Sequence, residues 1–89
     1  MHFDWDPEKN EDIQRTHDVS FEEIVSLVSK GGLIKTVKNP SEKYQSQKIM
    51  LVRKGKAVYM VPYEKRGDRF WLITAFYSEK FTKKYLRKK

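Results

Sequence analysis

The fold class that this chain of 89 residues predicts is α+β. Three observations predict it: two helix starts in the first third, β-rich runs joined by turn residues from residue 33 onward, and a return to helical spacing over the last dozen positions. One core is expected, because a chain of this length divided in two would leave each half below the size at which apolar burial offsets chain entropy. The architecture that follows is a single domain over residues 1–89. It has two N-terminal helices, an antiparallel sheet of three to four strands, a short N-terminal strand and a C-terminal basic helix.

Near the start of the sequence stands FDWDPEKN, residues 3–10. Phe3 and Trp5 alternate with Asp4, the period of a short edge strand whose two aromatics share one face and anchor the N-terminus in the core. Asp6 before Pro7 is a helix entrance: the carboxylate accepts from orphan N–H groups of the first turn, and proline suits the first helical position. A helix from Pro7 to about Thr16 follows, with Ile13 as its only interior aliphatic, so it belongs on the surface. The second start is stronger. In DVSFEEIVSLVSKGG, Ser20 is an N-cap, Glu23 completes a capping box and Val19 staples onto Ile24. This helix runs from Phe21 to about Ser29, with Phe21, Ile24, Val25 and Val28 on one stripe and Gly31 and Gly32 as its left-handed exit.

After the glycines the period changes. LIKTV reads as a strand, NPSEKYQSQ as a polar loop, and KIMLV and AVYMV as strands joined by a turn from Arg53 to Lys56. Pro62 is expected to end the second of these or to lie at its edge. EKRGD then turns the chain into RFWLITAFY, read as one continuous strand with Phe70, Leu72, Thr74 and Phe76 on one face and Trp71, Ile73, Ala75 and Tyr77 on the other. With both faces partly apolar, it is expected at the centre of the sheet, under helices on one side and a partner protein on the other. In the tail, Ser78 caps a short basic helix that packs Phe81, Tyr85 and Leu86 on the sheet.

The chain has no cysteine, which excludes disulfides and thiolate metal sites. It has no Gly-rich phosphate loop, GxSxG or HExxH, and His2 and His17 are too few for a metal cage, so neither metal nor other cofactor is expected. His17 closes the first helix, where an imidazolium gains from the helix dipole; that structural role and proton transfer are both open to it. No apolar run approaches a bilayer span and no apolar signal segment opens the chain, so a cytoplasmic protein without membrane contact is expected.

The net charge of +7 is unevenly spread. Residues 1–29 hold eight acids against two bases, a balance of −6, whereas residues 30–89 hold seventeen bases against four acids, a balance of +13. A positive lobe of that size attracts polyanions. Tyr44, Tyr59, Tyr63, Trp71, Tyr77 and Tyr85 are interleaved with the lysines and arginines of this lobe, which suits single-stranded RNA: aromatics stack on unpaired bases while cations meet phosphates. No helix-turn-helix with a basic recognition helix is present, which argues against a stand-alone DNA-binding domain.

The stretch FDWDPEKNEDIQRTHDVSFEEI resembles the N-terminus of BrnT-type toxins, whose pattern runs F-x-W-D-x-x-K, an Asn- and Lys-rich helix, then H-G-V-S-F-E-E. Phe3, Trp5, Asp6, Lys9, His17, Val19, Ser20, Phe21, Glu22 and Glu23 stand in matching places. RGDRFWLITA, from Arg66 to Ala75, resembles the R-G-D-R and strand before that family's last helix, and TKKYL matches the end of a related branch. The middle, residues 30–47, matches loosely. The resemblance implies a RelE-like fold, ribonuclease activity and a ribbon-helix-helix antitoxin as partner, with DNA reached only through the toxin–antitoxin complex.

Metal-independent RNA cleavage uses the substrate's own 2′-hydroxyl as nucleophile, so the protein must move protons and stabilise the phosphorane charge. Through the resemblance, Arg69 is the first candidate for charge stabilisation, with Lys80 and Lys83 as supporting phosphate contacts and Tyr77 or His17 for proton transfer. An ion pair of Arg69 with Asp68 or Glu64 is the competing role for that side chain. Arg53, Arg66, Lys83 and Lys84 are the expected RNA contacts. Two positions depart from the family pattern: Asp18 replaces a glycine, and Phe76 or Glu79 replaces an arginine at the last strand-to-helix junction. Loss of that cation weakens transition-state stabilisation by about a few kcal/mol, so a catalytically weakened RNA- or antitoxin-binding module is the rival reading.

Overall fold

The computed structural model describes residues 2–87. Along the chain run β1 (His2–Trp5), α1 (Pro7–His17), α2 (Phe21–Ser29), β2 (Leu33–Lys38), β3 (Lys48–Lys54), β4 (Ala57–Arg66), β5 (Arg69–Leu72), β6 (Phe76–Tyr77) and α3 (Glu79–Leu86), with a 3₁₀ turn at Glu42–Tyr44. The strands form one mixed sheet in the order β1-β5-β4-β3-β2, and β6 adds to β4. The fold class is therefore α+β, and the meander from β2 to β5 is antiparallel as expected. β1 lies at the edge but runs parallel to β5, an orientation that residue patterning does not encode.

The helix starts form as their residues dictate. Asp6 accepts from the Glu8 N–H at 3.0 Å and Ser20 Oγ from the Glu23 N–H at 3.0 Å. The Glu23 carboxylate, expected to complete a capping box, instead pairs with Lys54 Nζ at 3.2 Å and ties α2 to the end of β3. Asn10, buried in α1, joins the two helices: its amide donates to Glu22 at 2.7 Å and its carbonyl oxygen accepts from the Phe21 N–H at 2.8 Å. Asp18 ends α1 in the left-handed conformation, φ 54°. The two glycines after α2 serve different needs. Gly31 has φ 88°. Gly32 is crowded instead, since a Cβ there would lie 2.8 Å from the Leu27 carbonyl oxygen.

β3 and β4 are buried on both faces. Met50, Val52, Tyr59, Val61 and Tyr63 pack toward α1 and α2 with Ile13, Val19, Phe21, Ile24 and Leu72. Ile49, Leu51 and Val58 pack on the opposite face with Phe81, Tyr85 and Leu86 of α3. The second face is thus covered in part by the chain's own last helix, where a partner protein was expected. Phe3 and Trp5 join the α1–α2 side, against Phe70 and Phe21 respectively.

Two strand expectations are corrected. Pro62 neither ends β4 nor lies at its edge: it sits inside the strand, opposite Ile49. Its carbonyl accepts from the Ile73 N–H at 2.9 Å, but it has no N–H to return. The missing donor therefore falls where β5 leaves the ladder. RFWLITAFY is correspondingly not one strand. The β4–β5 register sets Tyr63 opposite Leu72, but pairing resumes with Met60 opposite Phe76, one residue out of step. The extra residue is a bulge, and it exchanges the faces of the side chains beyond it. Ala75 accordingly enters the core with Leu72, and Tyr77 meets Tyr59 edge-on at 6.2 Å.

α3 is fastened to the sheet through one residue. The Val58 carbonyl accepts from the Ser78 N–H at 2.9 Å, and the Val58 N–H donates to the Thr82 hydroxyl at 2.8 Å, with Thr82 fully buried. Thr82→Val keeps the shape but leaves that N–H without an acceptor. It is expected to lower unfolding free energy by roughly 1–3 kcal/mol, measured by urea denaturation. Asp18→Gly removes the left-handed penalty and is expected to raise stability by about 0.5–1 kcal/mol in the same assay.

Candidate nucleic-acid interface

The uneven charge along the chain becomes a difference between the two sides of the sheet. α1 and α2 carry Glu8, Glu11, Asp12, Glu22 and Glu23 against Lys9 and Arg15, while α3, on the opposite face, carries Lys80, Lys83 and Lys84 against Glu79. A polyanion meets unlike sides, and the α3 side is the favourable one.

The sequence-predicted residues divide between the two ends of β4. Tyr77, Lys80, Lys83 and Lys84 belong to β6 and α3, which pack at the Val58–Tyr59 end, and Arg53 lies opposite Val58. His17 reaches this end from the α1 side: its carbonyl accepts from the Tyr59 hydroxyl at 3.4 Å and its ring lies 6.3 Å from Phe76. Arg66 and Arg69 pair with each other at the opposite end. The rows from Tyr59 to Arg66 span about 23 Å at the rise of a strand. Arg69 and Tyr77 therefore do not meet at one phosphate, and the expected combination of Arg69 with Tyr77 and Lys80 in a single centre is not assembled.

At the far end, Arg69 donates to Asp4 at 3.1 Å, joining β5 to β1, so its ion-pair partner is neither Asp68 nor Glu64. Glu64 pairs with Arg66, whose guanidinium lies 4.6 Å from the centre of the Trp71 ring. The half-buried Trp71 ring thus already has a cation over it.

At the α3 end the organising group is Glu79. Its carboxylate accepts from the Tyr77 hydroxyl at 2.5 Å and from Arg87 at 2.9 Å, with Lys83 Nζ at 3.8 Å. The Tyr77 hydrogen bond, the largest influence, lowers the Glu79 carboxyl from its ordinary value; desolvation opposes it, and the Arg87 and Lys83 charges add to the lowering. Tyr77 serves here as a proton donor to a carboxylate, the reverse of a general base. Lys80, Lys84 and Lys43 extend over the rings of Phe81, Tyr85 and Tyr44 at 5.4, 5.6 and 5.6 Å. Arg53 Nε donates to the Gly55 carbonyl within its own turn.

The sequence reading missed Asp4 and Arg87 as partners and Glu79 as a centre. The spacing of Glu79 and Lys83, four apart with the acid first, was the available signal for part of this cluster. Nothing local could pair Asp4 with Arg69 across the length of the chain. Among the described residues no group of three or more histidines or acids is placed to hold a metal, and no helix is long and apolar enough to cross a membrane. No protein family, curated protein or solved structure matches this chain.

The Glu79 contacts have a definite pH dependence. A carboxyl whose folded pKa is lowered contributes stability above its unfolded pKa and loses it as pH falls through the folded value. In a carboxyl-carbon NMR titration, Glu79 is expected to titrate below the ordinary glutamate value. Tyr77→Phe is expected to move it up toward that value.

Proposed function

We propose that the protein is an RNA-directed toxin of the BrnT type, RelE-like in fold, held by a ribbon-helix-helix antitoxin and acting as a metal-independent ribonuclease. The observation that carries this reading is the side-to-side charge difference: exposed lysines beside aromatic rings on the α3 side, acidic helices on the other. Cations and rings in that arrangement suit the phosphates and bases of a single strand. The resemblance of residues 3–24 and 66–75 to that family supplies the reaction class and the antitoxin. The α3 end is the proposed cleavage centre, since Tyr77, Lys80, Lys83 and Arg53 gather there. In this reading the 2′-oxygen attacks the phosphorus as His17, at the same end of the sheet, takes its proton; Lys80 and Lys83 supply positive charge for the phosphorane; and Tyr77, once freed from Glu79, donates a proton to the leaving 5′-oxygen. Arg66 and Arg69 contact the strand at a distance from the reacting phosphate.

One observation favours a second reading. Glu79, one of the two positions (Phe76 or Glu79) at which the resembled family would carry an arginine, instead holds Tyr77, Arg87 and Lys83 with a carboxylate, which supports a weakened relative that binds RNA or antitoxin without cutting.

Growth and mapping of new RNA 5′ ends after controlled induction in a bacterial host separate the two. Under the first reading, growth stops and new ends appear. Both effects fall by roughly 10²-fold on Lys80→Gln or Tyr77→Phe, the usual cost of removing one group from a charge-stabilising set, and change little on Arg69→Ala. Normal growth and unchanged RNA from abundant folded protein would support the second reading and exclude the first.

A further inference from the structure

A groove of about 360 Å³ opens on the α3 side of the sheet, between the end of β2 and the first turn of α3. Val37, Pro40, Ile49, Met60 and Phe81 form its apolar lining, and Lys38 and Lys80 border it from β2 and α3 respectively. Among the described residues neither lysine pairs with an acid. Ile49, Leu51 and Val58 on this side pack under α3, whereas the groove beside them stays open, and an open apolar stretch on a highly charged protein calls for an occupant.

Its shape and charge select among ligands. An amphipathic helix docks through a row of anchors at i, i+3, i+4 and i+7, whereas the groove is a single space of about 360 Å³ bounded by β2, β3, β4 and α3. That volume admits a flat ring, and the two lysines at its borders match anionic groups flanking the ring. A nucleotide inside a single strand has this form: an apolar, stackable base with a phosphate before and after it. We infer that the groove is a nucleobase slot for single-stranded RNA, with the base against Met60 and Phe81 and the adjoining phosphates on Lys38 and Lys80. This inference rests on the RNA-directed reading above and adds to it a single seat that fixes the strand's position beside the Tyr77 end of the sheet.

Methyl NMR of the whole protein labelled at methionine tests it. Met60 lines the groove, while Met50, buried on the opposite face of the sheet, is an internal control. Titration with a short oligoadenylate is expected to move the Met60 methyl upfield by ring current and to leave Met50 in place, whereas an abasic ribose-phosphate oligomer of equal length binds without that shift. Lys38→Gln and Lys80→Gln are each expected to weaken oligoadenylate binding about 3–10-fold and to reduce its salt dependence by about 0.7 in log–log slope, the loss of one phosphate contact. Binding of both oligomers with Met60 unmoved, or moved equally by both, would overturn the slot while leaving RNA binding intact. A Met60 shift produced by an acidic amphipathic peptide and not by oligoadenylate would assign the groove to a protein partner. Failure of both oligomers to bind would overturn the RNA-directed reading together with the slot.

Discussion

The edge of β4 that faces β5 and β6 must have its backbone groups satisfied along its whole length, and the manner of their satisfaction governs the rest of the fold. β5 serves residues 63–66, β6 serves residues 59 and 60, and at Val58 the last groups are met by the Ser78 N–H and the Thr82 hydroxyl. Pro62 asks for no acceptor at the point where the chain changes from one partner strand to the next. Backbone polar groups in a buried strand are costly to leave unpaired, so the bulge, the short β6 and the position of α3 belong to one solution. The same solution sets Tyr77 and Glu79 side by side at the start of α3.

How much of this could be read in advance depends on the range of the interaction concerned. Asp6, Pro7, Ser20, Gly31 and Ser78 act within a turn of themselves, and the three helices they bound are legible in the sequence within a residue or so. The strands from β2 to β5 are legible because each β-rich run is bounded by polar loop or turn residues, and the β3–β4 and β4–β5 turns are two residues long. By contrast, the parallel docking of β1, the pairing of Asp4 with Arg69 and the diversion of Glu23 to Lys54 join residues far apart in the chain. The bulge at 73–75 escaped because RFWLITAFY alternates well enough to look continuous. Only the register against β4, which starts from Pro62, breaks it.

The functional residues show the same limit in sharper form. Arg69 and Tyr77 look like neighbours on the page, but eight residues of extended chain cover about 26 Å. A helix would have brought such residues onto nearby turns; a strand carries them to opposite ends of the sheet. The lysines of α3 gather for the complementary reason, since a helix advances little per residue and repeats its faces. The candidate site is therefore compact where its residues are helical and dispersed where they are extended. The groove between β2 and α3 had no local signature at all, because its walls come from four separate segments.

β1 also bears on the order in which the protein is made. Its pairing joins His2 to Arg69 and Trp5 to Leu72, among the most distant contacts in the sheet. During synthesis from the N-terminus, Phe3 and Trp5 leave the ribosome long before the strand that will receive them. Until β5 is available these aromatics have no seat in the sheet, and loop closure across most of the chain must precede their burial. β1 is thus a late contributor to the sheet, since its partner strand follows it by more than sixty residues.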